Sequence, residues 1–375
     1  MRAPVAAFAI DASPASLKSM VDKIASEPLS AVFLFISPTF DFGNVVTAVR
    51  KLAPDTQVAA CTTAGEITTA GYTENSIVAI GFPASLFDIS PIIVENLHDI
   101  DRNTLITKLI RGRAMMKARN PEFAFEFGML LPDGLSLGEE RLMSALLPAL
   151  GSLEVFGGSS GDGQRFERTR LCYNGRQLEG GSIIFLVRSR CRCRVFRMDN
   201  FTASNTRMVI TDADASRRLV RCINDEPAAQ EYARILGLEP DELCLQTFVA
   251  NPLALRIGSS HHIRAIQKLT PEGHMVFSCA IDEGMVLNLA EEKPILEHLD
   301  TFLTSLNDPE EPAIILGFDC LFRRLASSQS QCQEEVSRTL AKHKTVGFST
   351  YGEQHGTLHV NQTLVGAAIY PAVEL

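Results

Sequence analysis

The sequence predicts an α+β fold in which helices cover two regions of mixed β-sheet. Three observations favour this class: strand and helix patterns alternate in the first half of the chain, strand patterns dominate residues 171–288, and one short turn motif recurs. A chain of 375 residues is long for one hydrophobic core, so two large domains or a repeated architecture are expected.

Hydrophobic periodicity defines the elements of the first half. Short apolar runs rich in β-branched and aromatic residues predict strands, and apolar residues spaced three and four apart predict the helices between them. The predicted strands span residues 5–10, 31–36, 58–63 and 76–82, and the predicted helices carry the stripes Leu17, Met20, Val21, Ile24, then Val45, Val46, Val49, Leu52, and then Leu105, Ile106, Leu109, Ile110.

Strand patterns dominate the middle of the chain, and helical patterns return near its end. Gly and polar turns separate these predicted strands, and the late helices repeat apolar residues every three or four positions. The predicted strands span 182–188, 192–198, 208–211, 254–257, 263–269 and 275–281, the helices span 296–306 and 321–340, and the closing strands span 345–348 and 357–370.

Composition restricts the location and the partners of the protein. The net charge of −9 repels DNA and anionic lipid, and no apolar stretch approaches the ~18 residues of a membrane helix, so neither nucleic acid binding nor membrane insertion is expected. The N-terminal apolar run ends at Asp11, which is too short for a signal peptide. The nine cysteines are odd in number and scattered, as expected of free thiols in a reducing compartment. The sequence therefore predicts a cytoplasmic protein.

One turn motif follows an apolar run three times: two hydroxyl residues, a glycine and an acid. The second and third acids are separated by about twice the distance between the first and second, so a fourth copy is expected near Gly258, where no acid follows. The sequence thus predicts an internal repeat of strand-helix-strand-turn-strand units, with either two or four copies. The three copies are Cys61-Thr62-Thr63-Ala64-Gly65-Glu66, Gly158-Ser159-Ser160-Gly161-Asp162 and Phe348-Ser349-Thr350-Tyr351-Gly352-Glu353.

The recurring turn has a binding interpretation and a structural one. Glycine lets a ligand approach the backbone closely, and hydroxyls with free N–H groups bind anions or a ligand carboxylate. Alternatively, the hydroxyls bond to the backbone of their own tight turn. Residues 157–163 look like a phosphate loop, but they lack the Lys-Ser/Thr end and a clear following helix, so the match is weak.

The chain resembles the FIST family of sensory proteins in motifs that span nearly its whole length. The resemblance implies an N-like region, 1–226, and a C-like region, 227–375, and it implies a signalling protein that binds a small ligand. The motifs are residues 61–67 and 156–162 in the first region, and Arg264, residues 280–284, 318–324 and 347–353 in the second.

The tail at residues 354–363 resembles one bacterial branch of the family. That branch stands alone, binds haem, senses nitric oxide and acts on histidine kinases or cyclic-di-GMP enzymes. The resemblance therefore implies a haem cofactor, a gas ligand and such a partner, and a homodimer is among the expected assemblies. In this hypothesis NO binds to ferrous iron, weakens the bond to the axial histidine and shifts a surface that the partner contacts.

His359 is the first candidate for the axial ligand. Haem held by one axial side chain needs a neutral imidazole in an apolar pocket, and His359 lies between Leu358 and Val360 on an alternating pattern. The rival ligands are His261, His262 and His355. The expected site as a whole comprises His359, Glu353, Tyr351, Arg264 and Glu66, where the turns of the two halves approach.

Other functions stay open at this point. Amino acids or similar metabolites would find partners for ammonium and carboxylate groups in Glu66, Glu353 and Arg264. A hydrolase would use Cys61 as nucleophile and His359 as base, but the chain offers no G-x-S-x-G elbow, so an enzyme is not expected. A scaffold that binds a partner without a ligand is the remaining alternative.

Overall fold

Three α/β units of the same topology and one inserted sheet make up this protein. The structure, a computed structural model, describes residues 3–258 and 260–372. In each unit the second and third main strands are parallel and are joined through helix, while the fourth strand lies antiparallel between the first and second. The α+β class is confirmed, and the repeat has three units rather than two or four.

The first unit follows the predicted periodicity closely. Its first helix begins at Ser13, whose hydroxyl accepts the N–H of Ser16, and the predicted stripe of that helix is buried. The unit consists of β1 (Val5–Ala9), α1 (Pro14–Ile24), β2 (Leu29–Ile36), α2 (Phe42–Leu52), β3 (Gln57–Thr62), the hairpin β4 (Glu66–Thr68) and β5 (Gly71–Thr73), and β6 (Ile77–Pro83).

The second unit repeats this order. Its long helix buries Leu105, Leu109 and Met116 but exposes Ile110, which lies about 100° around the helix from Leu109. The unit consists of β7 (Phe87–Val94), α3 (Arg102–Arg119), β8 (Phe125–Pro132), α4 (Glu139–Leu150), β9 (Val155–Gly158), the hairpin β10 (Leu171–Tyr173) and β11 (Arg176–Leu178), and β12 (Ser182–Ser189).

The third unit is interrupted after its first strand. The single late helix predicted over 321–340 is two helices, because the chain turns at residues 330–332, where Gln331 has a φ of 55°. The unit consists of β13 (Cys193–Met198), α7 (Ile295–Ser305), β22 (Ile314–Cys320), α8 (Leu321–Gln329), α9 (Gln333–Lys342), β23 (Thr345–Thr350), the hairpin β24 (Glu353–His355) and β25 (Leu358–Val360), and β26 (Leu364–Ile369).

An antiparallel sheet is inserted between β13 and α7, and it accounts for the β-rich middle of the sequence. Gly258 lies in the turn of a hairpin of this sheet rather than at the end of a fourth unit; Ser259 of that expected copy lies outside the described residues. The elements are β14 (Phe201–Asp214), β15 (Leu219–Ile223), β16 (Glu226–Pro227), α5 (Ala228–Leu236), α6 (Leu245–Ala250), β17 (Leu253–Ile257), β18 (Ser260–Arg264), β19 (Ile266–Leu269), β20 (Met275–Phe277) and β21 (Val286–Glu292).

The three units exchange their hairpins in a closed ring. The hairpin β4–β5 of the first unit extends the third sheet beside β23, β10–β11 of the second extends the first sheet beside β3, and β24–β25 of the third extends the second sheet beside β9. Each sheet therefore has six strands, of which two come from another unit. The exchange brings the turns before the three hairpins together.

One apolar core is shared by the three units. Phe35 of β2 and Phe348 of β23 stack with ring centroids 4.5 Å apart, and Phe318 of β22 contacts Phe156 of β9 at 5.3 Å. Such aromatic pairs add about 0.5–1.5 kcal/mol each beyond the burial of their surface. The units therefore form one packed body. Among the described helices, none combines the length and apolarity needed to cross a membrane.

Candidate functional site

The three recurring turns bond directly to one another around the centre of the molecule. The first turn (residues 62–66), the second turn (158–163) and the third turn (349–353) each follow the third strand of a unit. Backbone hydrogen bonds join every pair of turns, so the glycine-containing turns form a ring. These bonds run from Ala64 N to Ser349 O (2.8 Å), from Ser159 N to Gly352 O (2.9 Å) and from Gly161 N to Thr62 O (3.0 Å).

The acids of the first and third turns brace their own units. The hydroxyl of Thr350 donates to one oxygen of Glu353, and Thr363 donates its N–H (3.2 Å) and its hydroxyl (2.8 Å) to the other. Glu66 repeats this pattern with Thr63 and with both donors of Ser76. The structural interpretation of the motif therefore holds for these two copies: the acid ties its turn to the strand that follows the hairpin.

Burial dominates the electrostatics of these two acids. It raises the pKa of Glu353 to about 8, against three hydrogen bonds that favour the ionised form. Burial also raises the pKa of Glu66, although Thr63, Ser76 and the charge of Arg324 oppose it. Both oxygens of each acid already accept hydrogen bonds, so neither acid is free to bind a ligand ammonium group without rearrangement.

The acid of the second turn has a different role. Asp162 accepts the backbone N–H groups of Phe166 (2.9 Å), Glu167 (3.1 Å) and Arg168 (2.7 Å), and so fixes the loop that leads to β10. The Tyr351 hydroxyl donates to the same carboxylate, and the Tyr351 ring stacks on Phe166 at 4.3 Å. Tyr351 thus locks the third turn to the second, and burial raises the pKa of its hydroxyl.

Arg324 of α8 lies over the first turn. A Cβ added to Gly65 would come within 2.0 Å of the guanidinium Nη1 of Arg324, and Gly65 has a φ of +132°, so only glycine suits this position. Nη2 donates to the carbonyl of Thr73 (3.0 Å) and lies 3.5 Å from a carboxylate oxygen of Glu74. Nη1 is buried, and within residues 3–258 and 260–372 it has no hydrogen-bond partner.

A cleft of about 370 Å³, here called the turn cleft, opens beside Arg324. All three units contribute to it: the first and second turns form one wall, and α8 forms the other. A buried cationic N–H without a partner at such a cleft is what a bound anion or carboxylate would satisfy. The residues that matter most in its lining are Thr63, Gly65, Glu66, Asp162, Arg165 and Arg324.

His359 lies on β25 and is buried, as predicted. Its Nδ1 is 3.1 Å from the amide nitrogen of Gln354, and its Nε2 is 3.4 Å from the carbonyl of Ser278 in the inserted sheet. A Cβ on Gly352 would be 2.4 Å from the imidazole Cε1, so the ring also packs on that turn. Both ring nitrogens have protein partners, and the surrounding residues leave no axial position, so haem at His359 does not fit this arrangement.

The remaining predicted residues lie apart from the turn cleft. Arg264 ends β18 in the inserted sheet, where it neighbours Cys279 and partly offsets the increase that burial causes in the pKa of that thiol. The rival His262 contacts Arg197 at 3.0 Å, and burial with that charge lowers its pKa to about 4. The structure thus brings Glu66, Tyr351 and Glu353 to the ring of turns, whereas His359 and Arg264 lie where the inserted sheet meets the ring.

The cysteines offer no reactive centre. Cys61 is fully buried in β3, and burial raises the pKa of its thiol far above the usual range. All nine cysteines are free, and the part of the chain that the structure describes holds no group of three or more His, Cys, Asp or Glu side chains that could hold a metal ion.

Sequence reasoning did not single out Arg324 itself. The motif at 318–324 was recognised, but its two arginines look equivalent in sequence. Arg323 is one helical turn from Asp319 and is consumed by an ion pair of 2.7 Å, whereas Arg324 points to the cleft. The helical spacing was the available signal, because an acid four positions back selects one arginine and leaves the next.

Three repeated units closed around a polar cleft define a ligand-binding domain. The model of the FIST N domain matches residues 30–226, and the model of the FIST C domain matches residues 228–355. The chain therefore belongs to the FIST family, whose domains are signalling sensors that bind small ligands. No curated protein matches this chain. The regional division at 226 and 227, which falls in β16, stays a prediction.

Proposed function

We propose that this protein senses a small metabolite that carries a carboxylate, and that Arg324 holds this carboxylate in the turn cleft. One observation supports the proposal above all: the buried Nη1 of Arg324 faces the cleft without a partner. An unpaired buried donor costs about 1–3 kcal/mol, more when it is charged, and a ligand carboxylate recovers that cost. Charge-assisted bonds of guanidinium to carboxylate are also among the stronger hydrogen bonds in proteins.

An α-amino acid is the metabolite class that we favour. The sequence-based hypothesis gave the ammonium group to Glu66 or Glu353, but their oxygens are committed to their own turns. Glu74 stands at the cleft with 76% of its side chain exposed, and its 3.5 Å contact with Arg324 is easily exchanged. We therefore assign the carboxylate to Arg324 and the ammonium group to Glu74.

Ligand binding at this place would affect the whole ring. Arg324 belongs to the third unit, Gly65 and Glu74 belong to the first, and Arg165 belongs to the second. A ligand that binds more tightly when the three units are closed shifts the population towards that state. A partner histidine kinase or cyclic-di-GMP enzyme would then detect the change at the surface. Cytoplasmic location and the absence of catalysis belong to the same proposal, and the buried Cys61 thiol supports the latter.

Calorimetric titration with a panel of amino acids tests the proposal. We expect Arg324→Gln to weaken binding by about tenfold or more, because a bidentate charged contact is lost. The matched control is Arg338→Gln on α9, whose side chain is 72% exposed and lies outside the turn cleft. Unchanged affinity in a folded Arg324→Gln protein would reject the assignment.

Haem at His359 with NO as the signal is the alternative. Its support is the resemblance of residues 354–363 to the haem-binding branch and the burial of the imidazole. The contact of Nε2 with Ser278 would have to break before iron could bind. A Soret band that appears on addition of haem and changes in His359→Ala would favour this alternative, and its absence would remove it.

A further inference from the structure

A second compartment adjoins the turn cleft. It has a volume of about 380 Å³ and lies between the first residues of α2 and the loop after the second turn. Arg165 and Asp162 line both spaces, so the two are contiguous. Three arginines face this space, which we call the arginine compartment: Arg165, Arg168 and Arg170.

The guanidinium groups of this compartment are available. Within the described ranges, the side chains of Arg168 and Arg170 make no hydrogen bond or ion pair, and Arg165 donates its Nε to the carbonyl of Asp162 (3.1 Å). Two acids also line the compartment, but their oxygens accept bonds from the protein itself. Asp41 caps α2 through the N–H and amide of Asn44, and Asp162 accepts three backbone N–H groups.

The repeat gives an internal comparison for this place. In each unit the helix after the second strand begins near the hairpin donated by another unit: α2 near β10–β11, α8 near β4–β5 and α4 near β24–β25. Beside α4 the position is filled by Arg218 of the inserted sheet, which bonds to Glu139 (2.7 Å) and Glu140 (2.6 Å). A cationic group thus meets an acidic lining there.

The position beside α2 has the opposite lining and nothing in it from the protein. Its free groups are guanidinium groups, and the N-terminal end of α2 adds a partial positive charge. Charge complementarity therefore favours an anionic occupant. Because the compartment continues into the turn cleft, one molecule can reach both spaces.

We propose that the ligand of the turn cleft carries a second anionic group, a carboxylate or a phosphate, which binds to Arg168 and Arg170 in the arginine compartment. This rests on the proposed function, since the first carboxylate is the one that Arg324 holds. Arg165, which borders both spaces, lies between the two anionic groups.

Pairs of amino acids with a common head group provide the test. The probes are L-glutamate against L-glutamine and O-phospho-L-serine against L-serine, each titrated calorimetrically into the full chain. We expect the anionic member of a pair to bind about tenfold more tightly, as one charge-assisted contact implies. The double variant Arg168→Gln/Arg170→Gln should abolish this preference and leave the neutral probes unaffected.

A charge-matched control and Arg324→Gln separate the outcomes. Arg111→Gln/Arg217→Gln removes two exposed charges elsewhere and should retain the preference. If neutral and anionic probes bind equally and Arg324→Gln weakens both, the second anionic group is refuted and the carboxylate assignment survives. If no probe binds the wild type, or if Arg324→Gln weakens none, the proposed function fails and this inference fails with it.

Discussion

Gly65→Ala should disable the cleft without unfolding the protein. A Cβ at this position would lie 2.0 Å from Nη1 of Arg324 and 2.9 Å from its Cζ, so the guanidinium must move. A non-glycine residue at a φ of +132° adds backbone strain of about 1–3 kcal/mol. Loss of the charged bond from Arg324 to the carbonyl of Thr73 adds about 1.5–3 kcal/mol. We expect a total destabilisation of about 2–5 kcal/mol, together with loss of amino acid binding.

Urea unfolding monitored by circular dichroism, paired with calorimetric titration, measures both effects. The matched control is Gly43→Ala in α2, where the new Cβ would meet its nearest neighbour at an ordinary 3.6 Å. Alanine there is expected to stabilise the helix by up to about 1 kcal/mol. The double variant Gly65→Ala/Arg324→Ala should retain the strain but lose the clash, so its two effects should not add. A Gly65→Ala protein with wild-type stability and affinity would refute the reasoning.

Two further predictions concern the supports of the ring. Arg218→Met should destabilise the protein by about 3–5 kcal/mol, because it leaves two acids of α4 without their buried counter-charge, whereas Arg221→Met at a half-exposed pair should cost under about 1 kcal/mol; urea unfolding tests both, and equal losses would contradict the buried role. Glu353 has a pKa raised to about 8 in the folded state, so its contribution is present at acidic pH and is lost as the pH rises from its unfolded value through 8. Glu353→Gln should therefore flatten the fall in stability between pH 5 and about 8, and an unchanged profile would show that this acid stays ionised.

Periodicity predicted most of the longer elements because their apolar faces are set locally. The buried stripe of α1 and the strand β12 appear where the sequence placed them. The exchanged hairpins were not predicted, since strands of three residues carry no periodic signal and their partners lie in other units. The number of units was wrong for a related reason: the inserted sheet delays the third turn, and this delay imitates the spacing of a missing fourth copy.

The candidate site was predicted in its position more than in its chemistry. The turns do meet, as the recurring motif suggested, because each follows the third strand of its unit. Glu66 and Glu353 have acidic side chains where a ligand was expected, but the hydroxyls three residues before them occupy their oxygens. Which arginine stays unpaired depends on long-range contacts such as that of Arg324 with Thr73, and sequence spacing alone does not reveal them.

A crystal structure of the protein with the tightest-binding amino acid of the panel tests the central claim most directly. We predict that the α-carboxylate lies within about 3 Å of Nη1 of Arg324, above Gly65 in the turn cleft. A ligand bound at His359 or Arg264, with Nη1 still unpaired, would contradict the account.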